Sequence, residues 1–228
     1  MTLRKSALAL RPKKGRSTIY LLRHAHSQAN GRGILAGQKP GIKLSAQGRK
    51  QAKDLTDILE TLKIEDVQLS PLERCRETIA PFMERHLDLP VTVNPSFIEM
   101  HYGEWSGEKL ALLARKSLWR TIQKSPSAVR FPAGESFLEM SSRAIEGIES
   151  LRNDNKVHLV VSHGDVIRVI LNHYLGSHLD TFQRLAIDPG SISSLVFDGE
   201  HVSIQRINST ASFGAHEGST LGGGAGRK

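Results

Sequence analysis

The sequence predicts an α/β domain whose central sheet is mainly parallel and is closed at one edge by an antiparallel hairpin. Short apolar segments that favour β-structure alternate along the chain with segments whose apolar residues recur at helical spacing. Near the end of the chain, two alternating segments flank Asp198-Gly199-Glu200, and an Asp-Gly pair in that position is typical of a hairpin turn. The 228 residues suffice for one domain of this class, and no linker rich in proline, glycine or serine interrupts residues 17–208.

Apolar, β-favouring residues predict six strands. The first four should belong to the parallel part of the sheet. Residues 157–161 should form a core strand because they are apolar almost without interruption. The last two strands form the hairpin. The predicted strands cover residues 18–22, 67–70, 91–93, 157–161, 191–197 and 201–207.

The helices are predicted from apolar periodicity and from residues that favour helix starts. Ser45 is the expected N-cap of the first long helix, Pro71 marks the start of the second, and Asp165 is the expected cap of the last. The first of these covers a face of the sheet with apolar residues that continue to Leu62. The remaining predicted helices span residues 72–86, 108–120, 135–152 and 166–175.

The formal net charge of +8 comes mainly from the two ends of the chain. Residues 1–16 contain six basic residues and no acidic one, and residues 213–228 contain two basic residues and one acidic one. The remainder is close to neutral and does not interleave basic with aromatic residues, so we expect no nucleic-acid partner. We expect a flexible basic arm over residues 1–16, the domain over residues 17–208 and a disordered Gly-rich tail over residues 209–228.

The cysteine count and the hydropathy of the sequence indicate where in the cell we expect the protein. Cys75 is the only cysteine, so no intrachain disulfide can form, and we expect a cytoplasmic location. No apolar segment approaches the roughly 20 residues that a membrane span needs. Leu8-Ala9-Leu10 is too short for the core of a signal peptide. We therefore expect no membrane partner.

The first predicted strand ends in Arg23-His24, and the fourth ends in Ser162-His163. Ligands of open α/β sheets bind at the carboxyl ends of the strands, so the two histidines lie side by side in such a site if their strands are neighbours. The alternatives for His24 are a structural histidine beside a surface arginine, or a zinc ligand together with His26. No Asp or Cys follows at ligand spacing, which argues against the metal.

Arg74 lies about one turn into the helix that follows the second strand. The start of a helix favours anions, and a planar guanidinium matches the oxygens of a phosphate. The alternative is a salt bridge on the helix surface with Glu73 or Glu77. Cys75 lies on the apolar face of the same helix, so we interpret it as a structural thiol rather than a nucleophile.

Glu99 and Glu104 follow the third strand and are candidates for a general acid. Beside apolar side chains such as Ile98 or Trp105, the pKa of a carboxyl group could rise toward neutrality. The alternative is that either glutamate is a solvated loop carboxylate.

Six blocks of the sequence resemble, in the same order, the signature of the histidine phosphatase superfamily in its phosphoglycerate-mutase-like branch. The blocks are Arg23-His24-Ala25-His26-Ser27-x-x-Asn30, Leu44-Ser45-x-x-Gly48-x-x-Gln51-Ala52, Ser70-Pro71-Leu72-x-Arg74-Cys75-x-x-Thr78, Glu99-Met100-His101-Tyr102-Gly103-Glu104-Trp105-x-Gly107, Phe131-Pro132-x-Gly134-Glu135-Ser136 and Val161-Ser162-His163-Gly164. They cover about residues 17–207, although Ala25 replaces the usual glycine and residues 31–43 differ from the mutases. The resemblance implies that the α/β domain is a three-layer sandwich with the phosphoglycerate-mutase-like fold.

The resemblance also implies a role for each matching residue. The expected catalytic residues are His24, Glu99 and His163, and the expected phosphate ligands are Arg23, Asn30, Arg74 and Ser27. His24 should attack phosphorus and become a phosphohistidine, while Glu99 should act first as general acid and then as general base. Arg23, Arg74 and His163, as three cationic groups, should surround the phosphoryl oxygens. Because these charges can replace Mg²⁺, we expect neither a metal nor another cofactor.

The implied function is a phosphatase that hydrolyses a small phosphorylated metabolite, such as a sugar phosphate or a phosphorylated acid. The alternatives are a phosphomutase of the phosphoglycerate mutase kind, a non-catalytic phosphate-binding protein and a nucleic-acid-binding protein. The lid, residues 100–133, is shorter than the cover expected of a mutase and should admit water, which favours hydrolysis. Its basic residues, which could meet an anionic substrate, are Lys109, Arg115, Lys116, Arg120, Lys124 and Arg130. A monomer and a homodimer both remain open.

Overall fold

A six-stranded sheet organises residues 15–210, the part of the chain that the computed structural model describes. Helices cover both faces of this sheet, so the predicted α/β three-layer architecture is confirmed. Residues 1–14 and 211–228, which make up most of the predicted arm and tail, lie outside the described residues. The strands are β1 (Arg16–Arg23), β2 (Asp66–Leu69), β3 (Val91–Val93), β4 (Val157–Ser162), β5 (Ile192–Asp198) and β6 (His201–Ser209).

The strand order is β3-β2-β4-β1-β5-β6, in which the first four strands of the chain are parallel. β5 is antiparallel to β1, and β6 completes the predicted hairpin at the edge of the sheet. β1 and β4 are direct neighbours, with Leu22 opposite Val161 and Arg23 opposite Ser162. This register brings the ends of β1 and β4 to one point on the carboxyl edge of the sheet.

Seven α-helices connect and cover the strands in the described part of the chain. They are α1 (Gln28–Gly31), α2 (Ala46–Glu60), α3 (Glu73–Met83), α4 (Leu110–Leu113), α5 (Ser117–Lys124), α6 (Phe137–Glu149) and α7 (Gly164–Tyr174). Ser45 caps α2 as predicted, since its side chain accepts a hydrogen bond from the backbone N–H of Gly48. None of these helices is both long and apolar enough to cross a membrane.

Two hydrophobic cores lie on opposite faces of the sheet. Successive strand residues point to opposite faces, so Leu21 belongs to one core and Leu22 to the other. The core that contains Leu22 packs α2 and α3 against β2 and β4. The larger core packs α6, α7 and the lid against β1, β4 and β5. Both cores leave the carboxyl edge of the sheet to polar side chains.

Three predicted helix boundaries were wrong in detail. α3 begins at Glu73 rather than Leu72, whose extended backbone forms the N-cap, and it ends at Met83 rather than His86. The single helix predicted over residues 108–120 is two short helices, α4 and α5. Asp165 does not cap α7: the N-cap is His163, and Asp165 lies in the first turn with its side chain buried.

Candidate active site

His24 and His163 are neighbours at the carboxyl edge of the sheet, as the two strand endings predicted. The parallel pairing of β1 with β4 continues past Arg23, where the backbone N–H of His24 donates to the carbonyl of Ser162 at 2.9 Å. The two imidazole ring centroids lie 5.2 Å apart. Both side chains are buried, with exposed fractions of 4% for His24 and 0% for His163.

The orientation of His24 is fixed by its own loop. Its Nδ1 lies 2.8 Å from the carbonyl oxygen of Ala25, so Nδ1 carries the proton and donates it. The backbone N–H of Ala25 donates in turn to Oγ1 of Thr78 on α3 at 2.9 Å, which ties this loop to the helix. Burial, with the positive charges of Arg74 and Arg23, lowers the pKa of His24 well below its usual value. His24 is therefore a neutral imidazole whose Nε2 bears a free lone pair.

Two buried guanidinium groups supply positive charge beside the histidines. Arg23 donates from Nη1 to the carbonyl of Ile187 at 2.5 Å, and Arg74 donates from Nη2 to the carbonyl of Gly37 at 2.8 Å. Burial lowers the pKa of Arg23 to about 10, so it remains cationic at neutral pH. The Nε atoms of both arginines are buried and have no hydrogen-bond partner among the described residues. An anion with several oxygens would supply such acceptors.

The guanidinium of Arg23 packs directly against the backbone of Gly164, the first residue of α7. A Cβ atom at this position would lie only 3.2 Å from the Cζ of Arg23. Any larger residue would push the guanidinium away from its place between β1 and α7. The glycine after His163 therefore has a steric reason to be there.

His163 links Arg74 to the end of β2. Its Nε2 lies 2.7 Å from Oγ of Ser70, and its Nδ1 lies 3.2 Å from Nη2 of Arg74. A guanidinium can only donate, so Nδ1 accepts and Nε2 carries the proton. Burial, together with the charge of Arg74, lowers the pKa of His163 well below its usual value. The structure thus shows two cationic groups and a neutral His163, where the sequence suggested three cationic groups.

Glu99, rather than Glu104, reaches this group of side chains. Glu99 is 4% exposed, whereas Glu104 is exposed to solvent. Its Oε2 lies 3.9 Å from Nδ1 of His163, and its Oε1 accepts a hydrogen bond from the backbone N–H of Met100 at 2.9 Å. Burial and the nearby charge of Asp165 raise the pKa of Glu99 from 4.5 to about 7. Glu99 can therefore hold a proton near neutral pH, as a general acid must.

Ser27 and Asn30 form a reciprocal capping box at the start of α1. The backbone N–H and the hydroxyl of Ser27 both donate to Oδ1 of Asn30, at 2.9 and 2.8 Å, and the Ser27 hydroxyl accepts from the backbone N–H of Asn30. These bonds occupy the Ser27 hydroxyl and the Asn30 oxygen. They leave the amide nitrogen of Asn30 as the donor that a ligand could use.

The sequence model of the histidine phosphatase superfamily, branch 1, matches residues 19–210. The chain belongs to this superfamily. It is similar to phosphoserine phosphatase 1 of Hydrogenobacter thermophilus, with 30% identity over 200 residues, or 86% of this chain and 94% of the relative. It is also similar to the protein named Probable phosphoglycerate mutase GpmB of Erwinia tasmaniensis, with 29% identity over 179 residues, or 77% of this chain and 82% of the relative.

The fold of this histidine phosphatase is also found in solved structures. The crystal structure of the alpha-ribazole phosphatase from Shigella flexneri matches with a TM-score of 0.74 and 25% sequence identity. The match covers 84% of this chain and 96% of that structure. The predicted phosphoglycerate-mutase-like fold is thereby confirmed.

Sequence reasoning missed several residues that support the site of this histidine phosphatase. Ser70 lies in a recognised block but had no assigned role, and it binds His163. Asp165, predicted as a helix cap, instead accepts hydrogen bonds from Tyr102 at 2.6 Å and from Arg168 at 2.9 Å. The first of these contacts spans 63 positions of the chain, so only the tertiary structure reveals it.

Metal binding was the alternative interpretation of His24 and His26 in the sequence. Within residues 15–210, no group of three or more His, Cys, Asp or Glu side chains is arranged to hold a metal ion. His26, the partner of His24 in the metal interpretation, has its Nδ1 only 2.8 Å from Oγ of Ser45. Cys75 is a buried free thiol, and burial raises its pKa to about 12, which agrees with a structural role.

Proposed function

We propose that this histidine phosphatase is a phosphomonoesterase that works through a phosphohistidine at Nε2 of His24. The observation that carries the proposal is the orientation of His24. The hydrogen bond from Nδ1 to Ala25 leaves the Nε2 lone pair free beside two buried guanidinium groups. A held nucleophile and preorganised positive charge are the main requirements of phosphoryl transfer.

In the first step, the Nε2 lone pair attacks phosphorus and forms a P–N bond while the P–O ester bond breaks. The carboxyl group of Glu99 gives its proton to the departing alcohol oxygen and becomes a carboxylate. Arg23 and Arg74 balance the negative charge of the phosphoryl oxygens, and the amide nitrogen of Asn30 donates to one of them. His163 keeps Arg74 in place through its Nδ1.

In the second step, a water molecule attacks the phosphorus of the phosphohistidine. The carboxylate of Glu99 takes a proton from this water, a P–O bond forms and the P–N bond breaks. Inorganic phosphate leaves, and both His24 and Glu99 return to their starting protonation states. Ser27 acts in this scheme by orienting Asn30 through the capping box.

The substrate that we propose is a small phosphorylated metabolite. Phosphatases named for phosphoserine and alpha-ribazole substrates are among the similar proteins, which supports a small phosphomonoester. The buried site also supports a small substrate, because both histidines and both arginines lie below the protein surface. The single, free cysteine supports a cytoplasmic location.

The lid bears on whether the enzyme is a phosphatase or a phosphomutase. It holds only short helices, and its six basic side chains are all exposed to solvent. We expect a lid this short to admit water, the acceptor that a phosphatase needs and that a mutase must exclude. A phosphomutase is the second candidate, because a relative is named as a phosphoglycerate mutase.

The proposal is tested by measuring phosphate release from a panel of phosphorylated metabolites in the presence of EDTA. We expect release from at least one small phosphomonoester, at a rate that EDTA does not change. Activity that disappears with EDTA and returns with a divalent metal would contradict the metal-independent mechanism. Phosphate binding without any turnover would favour a binding protein.

A further inference from the structure

The backbone of the segment that carries Glu99 is held by one side chain from α6. The guanidinium of Arg143 donates from Nη1 to the carbonyls of Ser96 and Ile98, at 2.9 and 2.8 Å. Its Nη2 donates to the carbonyl of Glu99 at 3.3 Å. One planar group thus binds three carbonyl oxygens within four residues that end at the general acid.

Glu135 pairs with Arg143 and also binds the backbone that follows Glu99. Its carboxylate binds Arg143 with both oxygens, at 2.7 Å from Nη2 and 3.1 Å from Nε. The same carboxylate accepts from the backbone N–H of His101 at 2.8 Å, and the backbone N–H of Glu135 donates to the carbonyl of His101 at 2.9 Å. The pair therefore fixes the chain both before and after Glu99.

Close backbone packing leaves little room for this segment to move. A Cβ atom on Gly134 would lie 2.3 Å from the carbonyl oxygen of His101, so residues 101–103 pack directly on the chain at Gly134. Gln38, from the loop that follows α1, donates to the carbonyl of Glu99 at 2.8 Å. The neighbouring carbonyl of Gly37 accepts from Arg74, so this loop contacts both the acid and the phosphate site.

The carboxyl group of Glu99 makes few polar contacts with the described residues. Its Oε1 binds the adjacent backbone N–H of Met100, and its Oε2 lies 3.9 Å from His163. The backbone that carries Glu99 therefore helps to set the direction of its buried carboxyl group. A small rotation of this backbone would move the proton away from the leaving oxygen, and a misplacement of about 1 Å can cost on the order of 100-fold in rate.

We propose that Arg143, together with Glu135, is a positioning residue for the general acid Glu99. The inference rests on the proposed function, because it concerns the proton that Glu99 gives to the leaving group. A guanidinium is required because its fork donates to five oxygen atoms, three of carbonyls and two of a carboxylate, whereas the ammonium of lysine is a point charge without that geometry. The role of Arg143 is to aim the acid, and it does not touch the substrate.

The test compares Arg143→Lys with the wild type on two substrates. An alkyl phosphate needs a proton on its leaving oxygen, and p-nitrophenyl phosphate hardly does. We expect Arg143→Lys to lower kcat/KM for the alkyl phosphate about 10- to 100-fold and for p-nitrophenyl phosphate less than about threefold. The same substitution in a Glu99→Gln background should cause no further loss that is selective for the alkyl substrate.

Arg152→Lys is the matched control. Arg152 also binds a carboxylate, that of Glu149, and the carbonyls of Gly199 and Glu200, but it lies at the opposite end of the sheet. This control should lower the Tm by a similar amount without changing the ratio of activities on the two substrates. If Arg143→Lys fails to fold, Glu135→Gln removes the same bidentate pair and is judged by the same ratio.

The outcomes distinguish a failure of the positioning role of Arg143 from a failure of the proposed phosphatase function. Equal losses on both substrates in a folded Arg143→Lys protein would show a merely structural role and overturn the positioning proposal. A full alkyl-selective loss that persists in the Glu99→Gln background would also overturn it. A wild-type protein that hydrolyses neither substrate, nor any member of the metabolite panel, would instead contradict the proposed phosphatase function.

Discussion

A buried histidine lies at each end of β4, one within the strand and one just beyond it, and the two have opposite surroundings. His158, near the amino end, is 1% exposed and has carboxylate oxygens of Asp66 and Asp154 at 2.9 Å from its two ring nitrogens. His163, just beyond the carboxyl end, has Arg74 and Ser70 as its partners. Burial alone therefore does not distinguish a structural histidine from a functional one.

The difference lies in which polar atoms lack a hydrogen-bond partner. Around His158, each ring nitrogen has a carboxylate oxygen at 2.9 Å, so the imidazole needs no ligand to complete its hydrogen bonds. Around His163, the guanidiniums of Arg23 and Arg74 have buried Nε atoms with no partner in the described part of the chain. Two such arginines beside the two site histidines favour an anion at the carboxyl end of the sheet, whereas the contacts of His158 tie β4 to Asp66 of β2 and to Asp154. Substitutions at the carboxyl end should mainly change activity, and His158→Asn at the amino end should mainly change stability.

The largest effect is expected from His24→Ala. Removal of the nucleophile should lower turnover on the order of 1000-fold or more and abolish acid-labile phosphate labelling, because no P–N bond can form. The Tm should change little, since within residues 15–210 the side chain of His24 has one hydrogen bond, to its neighbour Ala25. Rapid acid-quench with radiolabelled substrate measures the label. Labelling that survives, or that moves to His163, would contradict the assignment.

The next largest effect is expected from Glu99→Gln, which keeps the shape of the side chain but removes the transferable proton. The loss of kcat/KM on an alkyl phosphate should exceed the loss on p-nitrophenyl phosphate by at least about tenfold. Glu104→Gln is the control, since Glu104 is exposed, and it should leave both activities within about twofold. A larger loss from the control variant would transfer the acid role to Glu104.

The raised pKa of Glu99 adds a pH dependence with a definite sign. Because Glu99 must be protonated to act as the acid, kcat/KM for the alkyl phosphate should fall as the pH rises above about 7. The folded pKa lies above the ordinary value of 4.5, so wild-type stability should decrease as the pH rises from about 4.5 to about 7. Glu99→Gln should therefore have a higher Tm than the wild type at pH 8. A lower Tm would show that the charged carboxylate stabilises the site.

A smaller effect, and one on stability instead of activity, is expected at the amino end of β4. His158→Asn should lower the free energy of unfolding by about 2–4 kcal/mol, because the buried Asp66 carboxylate loses the imidazole and keeps the hydrogen bond from Gln68. The kcat/KM of the folded variant should stay within about twofold. His86→Ala, which breaks a half-exposed pair with Glu60, should cost less than about 1 kcal/mol. Denaturant titration measures both losses of stability. Equal losses for the two variants would contradict a special structural role for His158.

The smallest effect is expected from removing residues 1–14 together with residues 213–228. β1 begins at Arg16, which pairs with Asp198, so this truncation leaves the sheet intact. Activity on a small phosphomonoester should stay within a few-fold of the full chain. A collapse of activity or a loss of soluble protein would show that one of these ends contributes to the site or to the fold.

Local sequence signals predicted much of the fold and the centre of the site. Apolar strands that end in His24 and His163 predicted their proximity because parallel strands share a carboxyl edge. The choice of Glu99 over Glu104 also agrees with their burial. These features depend on periodicity and on the ends of elements, which a sequence displays directly.

The features that sequence reasoning missed depend on contacts between distant residues. Arg143 binds the carbonyl of Glu99 across 44 positions, and Tyr102 binds Asp165 across 63. No local pattern in the sequence reveals these contacts, so Asp165 was interpreted as a helix cap. The neutral state of His163 was missed for the same reason, because it follows from the joint burial of His163 and Arg74.

The most direct test of the central claim, hydrolysis through a phosphohistidine, uses 3-phosphoglycerate with and without 2,3-bisphosphoglycerate. Isomer exchange and free phosphate are followed in the same reaction. The shortness of the lid and its exposed basic side chains favour hydrolysis, so we expect phosphate release from a small phosphomonoester to dominate without a bisphosphate primer and any isomer exchange to be slower than release. Exchange that depends on the primer and is much faster than phosphate release would contradict the account and establish a mutase.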